Sequence, residues 1–181
     1  MRVICLSGGL DSAVALFSGS FDLALGIYYM QRWDENGVPE LRAARALADR
    51  AGVPFETVMS AYCCRLTTGL LGGNVDTFAD AVVPGRNTLF IALAAMRGAS
   101  RVTLGCNADD QEDFIDCRQD ILEAVGVACG VEVDLPMLHL TKREIVRMSA
   151  DYGLHEDDTV TCYRGTGCGE CAACRLRKEA S

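Results

Sequence analysis

The chain opens on an apolar run, Val3–Leu6, breaks into the polar hairpin SGGLDS, and resumes as a helix-spaced stretch over Asp11–Ser18. The same alternation recurs four times. Short aliphatic and β-branched runs at Leu23–Tyr29, Phe55–Met59, Arg101–Gly105 and Val131–Leu135 predict strands. Helical patterns fill the intervals at Glu40–Ala51, Asn87–Arg97, about Arg118–Ala128 and Lys142–Tyr152. Leu41, Ala44, Leu47 and Ala51 share one helical face, as do Leu89, Leu93 and Met96, and Thr141-x-x-Glu144 is a capping box before Ile145 and Met148. Five β-α alternations predict an α/β fold: a doubly wound parallel five-stranded sheet with helices on both faces. Ligands of such sheets settle beyond the carboxyl ends of the strands, where the strand order reverses.

Two segments stand outside this rhythm. Ser60–Pro84 reads as a long loop near the carboxyl edge of the sheet, and the tail after Tyr152 cannot build another β-α unit. The expected organisation is therefore a nucleotide-binding α/β domain over 1–152, with a tail over 153–181 packed on the same domain.

Composition narrows the class. At 181 residues, half of them hydrophobic, the chain can bury one good core. No apolar run reaches the roughly 18 residues of a membrane helix, and the N-terminus enters a strand without the basic start of a signal peptide. A cytoplasmic protein without membrane contact is the expectation. The net charge of -8 argues against a surface that grips nucleic acid. Its spread is uneven: Asn107–Glu123 carries seven acids against Arg118, whereas Val160–Ser181 carries four cations against Glu170 and Glu179. Asp109, Asp110, Glu112 and Asp113 read as a solvated acidic loop. Scattered Cys5, Cys63, Cys64, Cys106, Cys117 and Cys129 read as small buried hydrophobes of a reducing compartment.

Between the first strand and first helix stands Ser7-Gly8-Gly9-Leu10-Asp11-Ser12. It is neither a Walker loop nor Gly-x-Gly-x-x-Gly. Glycines let successive backbone N–H groups face a ligand, and the new helix adds its free amides and positive dipole end. Ser7 and Ser12 supply hydroxyl donors. Asp11 repels phosphate, and makes sense as a helix cap or as the holder of a Mg²⁺ that bridges phosphates. The bland reading, a β-α turn that only needs glycine, accounts for Gly-Gly but not for the whole hexapeptide.

The tail places Cys162, Cys168, Cys171 and Cys174 at spacings x5, x2 and x2, with Gly165, Gly167 and Gly169 between them. Four thiolates in thirteen residues can close a tetrahedral S₄ site, with zinc bonds of about 2.3 Å and no open position for chemistry. An iron–sulfur ferredoxin run also starts Cys-x2-Cys-x2-Cys, but its x3-Cys-Pro continuation is missing here.

Ser-Gly-Gly-x-Asp-Ser resembles the PP-loop of the ATP pyrophosphatase superfamily (adenine nucleotide alpha hydrolase-like), which cleaves ATP between its α and β phosphates. Further matches follow in order: Gln31-Arg32, Gly85-Arg86-Asn87, Gly105-Cys106-Asn107-Ala108-Asp109-Asp110, Asp116-Cys117-Arg118, Thr141-Lys142-x-Glu144-Ile145-Val146 and Cys162-Tyr163-Arg164-Gly165. Together with the tetracysteine tail they resemble the 7-cyano-7-deazaguanine synthase (QueC) family. That resemblance implies conversion of 7-carboxy-7-deazaguanine and free ammonia, with two ATP, to the nitrile through an acyl-adenylate and an amide. It implies ATP, Mg²⁺ and Zn²⁺ as cofactors and a homodimer as the assembly. Ser7, Gly8, Gly9, Leu10, Asp11 and Ser12 would hold the pyrophosphate. Asp11, Ser12, Arg86 and Lys142 would serve catalysis, Arg86 and Arg164 through forked contacts to α-phosphate or carboxylate. Gln31, Arg32, Asn87, Asp116, Arg118 and Arg164 would bind substrate, Asp116 either accepting the guanine-like edge or capping the helix from Arg118. Cys162, Cys168, Cys171 and Cys174 would bind zinc.

The chain departs from the family where Trp33 follows Gln31-Arg32 in place of histidine, with DENGVP inserted after it, and in its shorter gap from Cys162 to Cys168. A related adenylase that stops at the amide, or a tRNA thiolase, is the alternative, although the latter would want a basic RNA-binding surface. A serine hydrolase lacks a base: His139 and His155 are the sole histidines, and there is no nucleophile elbow.

Overall fold

A computed structural model describes residues 1–31, 34–60, 79–164 and 167–180. Arg32, Trp33, most of the expected Ser60–Pro84 loop with Cys63 and Cys64, and Gly165 lie outside the described residues. Among those described, five parallel strands stand in the order β3-β2-β1-β4-β5: β1 (Arg2–Cys5), β2 (Leu23–Tyr28), β3 (Phe55–Met59), β4 (Arg101–Thr103) and β5 (Glu132–Asp134). The direction of winding reverses between β1 and β4. Val3 of β1 stands opposite Leu23 of β2 on one side and Val102 of β4 on the other.

Period two decides which helices cover which face. Ile4 and Leu6 bury themselves under α1 (Leu10–Ser18), α2 (Pro39–Ala51) and α6 (Lys142–Asp151), beside Val14, Leu47 and Ile145. Val3 and Cys5 point the other way, under α3 (Arg86–Met96) and α5 (Gln119–Cys129), beside Phe90, Ile91 and Leu122. A strand covered on both faces reads as a continuous apolar run, which is why β1 and β2 were legible without alternation. The capping box forms as expected: the Thr141 backbone N–H donates to Glu144 Oε2 at 2.7 Å, and the Glu144 N–H returns to Thr141 Oγ1.

Two short elements were not expected. The acidic run is not a solvated loop: it begins as a helical turn, α4 (Asp110–Asp113), in which Asp109 and Asp110 are partly buried. The tail ends in a helix, α7 (Ala172–Ala180), that lies against α6. Among the described residues no helix is long and apolar enough to cross a membrane.

Candidate active site and metal centre

The turn after β1 is clamped from two sides. Gly8 has φ +81°, and a Cβ there would fall 2.1 Å from the Glu40 carbonyl oxygen at the start of α2. Its own carbonyl accepts the Val160 N–H at 2.9 Å, so the tail closes over it. The hydroxyls of Ser7 and Ser12 lie 3.0 Å apart, and Ser12 Oγ donates to the Gly9 carbonyl, also at 3.0 Å. The first helical bond runs from Ala13 N–H to Gly9 O. The N–H groups of Leu10, Asp11 and Ser12 are thereby left without intrahelical acceptors, at the positive end of α1. Gly105, just past β4, permits the approach: a Cβ would meet Ser12 N at 2.7 Å. Such a cradle of amides is a ready anion seat.

Asp11 does not cap α1. The cap position is Gly9, with no side-chain bond, and the Asp11 carboxylate accepts Lys142 Nζ at 2.7 and 2.6 Å. The pair is mostly enclosed, with side-chain exposures of 20% for Asp11 and 13% for Lys142. Lys142 in turn is fixed at its backbone, where its N–H donates to Asp109 Oδ2 at 2.8 Å.

A cavity of about 230 Å³ opens between this turn and α3. Ser7, Gly9, Leu10, Asp11, Ser12, Gln31, Arg86, Asn87 and Lys142 all line it, joined by the aromatic walls Tyr29, Phe90, Phe114 and Tyr163. Arg86 Nε is buried with no hydrogen-bond partner among the described residues. Burial opposes its charge, but Tyr29, Cys117, Asp116 and Tyr163 more than offset this, and its pKa is held above the ordinary value. Gln31 is partly spent on its own strand end: its Oε1 accepts the Tyr29 N–H at 2.8 Å, and its Nε2 donates to Ile27 O at 2.9 Å.

Sequence reasoning also expected residues that the structure uses elsewhere. Asp116 does not cap the helix from Arg118; its Oδ2 accepts the Asn87 N–H at 3.1 Å in the first turn of α3, and its carbonyl accepts Asn87 Nδ2 at 2.8 Å. Arg118 lies outside the cavity lining, its side chain 53% exposed and paired with Asp120 at 2.9 Å. Arg164 likewise stands outside the lining, 3.6 Å from Glu170.

Two acids in the lining were missed. Glu40 carries a buried Oε2 without a hydrogen-bond partner among the described residues, and burial raises its pKa. Asp110 is held near pH 6 by burial and by the neighbouring Asp11, against Lys142, the Asn107 N–H and Arg86. The signal for Asp110 was its place three residues after Gly-Cys-Asn; the surrounding acids masked it.

In the tail, the Sγ atoms of Cys162, Cys168, Cys171 and Cys174 all lie within 4.8 Å of one another, with Cys162 and Cys171 buried. Sulfurs on a tetrahedral ion at about 2.3 Å stand roughly 3.8 Å apart, so small rotations close the site. The Cys168 N–H donates to Cys162 Sγ at 3.3 Å, and the Cys171 N–H to Cys168 Sγ at 3.4 Å. Amides aimed at sulfur favour thiolate, as ligation requires. The four cysteines form a metal-binding site. Arg177 donates to the hydroxyls of Thr159 and Thr161, and Arg175 to the Glu170 carbonyl, so these tail cations brace the knuckle's surroundings.

The family model described as queuosine biosynthesis protein QueC matches residues 1–181. A 7-cyano-7-deazaguanine synthase of Acinetobacter baylyi is 34% identical over 206 residues, covering 98% of this chain and 88% of that one. One from Thiobacillus denitrificans is 35% identical over 213 residues, covering 98% and 91%. Among solved structures, the U34-tRNA thiolase NcsA from Methanococcus maripaludis with its 4Fe-4S cluster superposes with a TM-score of 0.57 at 15% identity. That alignment covers 99% of this chain and 63% of the other, and the likeness is one of fold.

Proposed function

The chain belongs to the QueC family of queuosine biosynthesis proteins, and from that premise we propose that it makes 7-cyano-7-deazaguanine from 7-carboxy-7-deazaguanine, ammonia and two ATP. The reading is a C–N ligase: one ATP activates the carboxylate as an acyl-adenylate, ammonia gives the amide, and a second ATP activates the amide oxygen for loss of AMP. The observation that carries it is the turn of Ser7–Ser12, whose free amides open onto one cavity together with Lys142 and Arg86.

The chemistry suits those residues. Carboxylate and amide oxygens leave poorly until adenylated, so alignment and charge neutralisation supply most of the catalysis. The amides of Leu10, Asp11 and Ser12 and the hydroxyls of Ser7 and Ser12 would take the departing pyrophosphate. Lys142, steered by Asp11, would balance its charge, and the Arg86 guanidinium would fork onto the α-phosphate or the substrate carboxylate. Asn87 and Gln31 would fix the substrate's position from the same wall, while Asp116 supports it indirectly by seating Asn87. Mg²⁺ would enter with the nucleotide.

Zinc is the ion that four cysteines favour, and when bound it supplies a cross-link, not chemistry. We read the protein as a cytoplasmic homodimer; exposed Met96 (82%) on α3 and Val127 (83%) on the adjoining α5 support a covered apolar face.

The test is incubation with ATP, Mg²⁺, ammonium and 7-carboxy-7-deazaguanine, followed by mass analysis. Amide and then nitrile are expected, with two AMP and two pyrophosphate per nitrile. A product that remains the amide, or no substrate-dependent pyrophosphate, overturns the assignment.

A further inference from the structure

Building on that reading, we infer that Asp110 is the general base that receives the proton from the substrate nitrogen in both halves of the reaction. Its place in the cavity argues for this. Asp110 lines the pocket with Lys142 and Arg86, at the end where phosphate charge would be neutralised. The carboxyl group is fixed by a reciprocal pair: the Asn107 N–H donates to Asp110 Oδ2 at 3.2 Å, and the Asp110 N–H donates to Asn107 Oδ1 at 2.9 Å. Its other oxygen, Oδ1, has no hydrogen-bond partner among the described residues.

The remaining titratable groups of the lining serve poorly. Asp11 is held by Lys142 through both oxygens. Glu40 sits on the Gly8 side of the turn, near Cys162. Burial pushes the Tyr163 hydroxyl up, and Cys106 is pushed up by its bond with Cys117 and by burial, so both stay protonated. No histidine lines the cavity among the described residues. Charged and titratable groups face Asp110 from every side: Asp11 on α1, Lys142 on α6, Arg86 on α3, Cys106 after β4 and Tyr163 in the tail. With these neighbours the carboxyl titrates near 6, in the range suited to proton transfer at neutral pH.

The protons balance as follows. When the ammonia nitrogen bonds to the carbonyl carbon of the acyl-adenylate, it becomes cationic. One proton passes to Asp110, and the C–O bond to AMP breaks with its electron pair, giving the amide. After the amide oxygen is adenylated with release of pyrophosphate, the nitrogen still carries two protons: one is lost to solvent as the neutral O-adenylyl imidate forms, and Asp110 takes the other. The C–O bond to AMP then breaks, and the nitrogen pair completes the nitrile. After each half of the reaction the proton leaves Asp110 to solvent, so the carboxylate is free again for the next.

Adenylation itself needs no such base, which separates this role from charge balance or metal binding. The experiment is Asp110→Asn, measured by substrate-dependent ATP–pyrophosphate exchange and by amide formation across pH. Exchange is expected to persist while amide formation falls by roughly 10²–10⁴-fold. The wild type should gain amide-forming activity through an apparent pKa near 6, and the variant should lose that limb. Formate should restore part of the turnover of Asp110→Ala. Equal loss of exchange and amide formation, or loss of neither, overturns the base role. If the wild type itself shows no exchange with 7-carboxy-7-deazaguanine, it is the functional reading that fails, and the base role falls with it.

Discussion

The glycine turn and the cysteine tail share a cavity wall but are held in opposite ways. The turn is made of backbone: a strand end, two glycines and a helix start, locked by Gly8, Glu40, Gly105 and Val160 within a double-faced core. The tail is made of side chains. Among the described residues its own buried cluster is Cys162, Cys171 and Ala173, with Tyr163, Cys168 and Cys174 packed against it, little apolar surface to set against the conformational entropy of ordering a segment. The turn is therefore expected to keep its shape without its ligand, and the tail to draw its stability from ligation by the four cysteines. Yet Val160, Thr161, Cys162 and Tyr163 all line the cavity, so a metal that does no chemistry still shapes the place where chemistry happens.

Four changes test this contrast, beginning with the largest effect. Asp11→Ala should lower pyrophosphate release by at least about 10³-fold, roughly 4 kcal/mol of barrier, because Lys142 loses its partner and the turn its charge balance. The chain should still fold, with a lowered melting temperature because Lys142 is left enclosed without its partner, and unchanged turnover would remove the turn from the mechanism. Cys171→Ser should do the reverse in order of cause: metal content falls first and stability drops by roughly 3 kcal/mol, with activity following. Metal analysis beside calorimetry checks it, and a brown protein with visible absorbance would exchange zinc for iron–sulfur. Gly8→Ala forces a Cβ onto Glu40 O and a side chain into φ +81°, so about 1–3 kcal/mol of stability should go, together with phosphate binding.

The fourth test is a pH dependence. The folded Asp110 has a pKa of about 6, above its ordinary 3.8, so folding retains a proton that the unfolded chain sheds. Nothing is lost below both values; stability then falls as pH rises between them, and above 6 the full cost, on the order of 2–3 kcal/mol, is present. Asp110→Asn should therefore melt higher than wild type at pH 7.5 and converge with it at pH 4. A gap that is flat with pH would show that the burial of this carboxyl carries no such cost.

Much of this was legible because it is local. Period two and helical spacing place all five strands and the five long helices within a few residues, and the hexapeptide marks the anion seat before any fold is drawn. What escaped depends on distant partners. Asp11 meets Lys142 across 131 positions, and Asp116 serves α3 from 29 positions away, whereas nearby sequence offered a helix cap for each. Asp110 sits in an acidic run whose Glu112 does face water, so composition assigns it that environment; only the packing of α1, α3 and α6 around it says otherwise. Arg118 shows the same limit in reverse, a motif residue whose side chain turns to Asp120 and solvent.

The bond from Val160 to Gly8 also fixes a schedule. During synthesis the turn leaves the ribosome about 150 residues before the stretch of chain that latches it. Until Val160 has emerged, the turn stands without this latch.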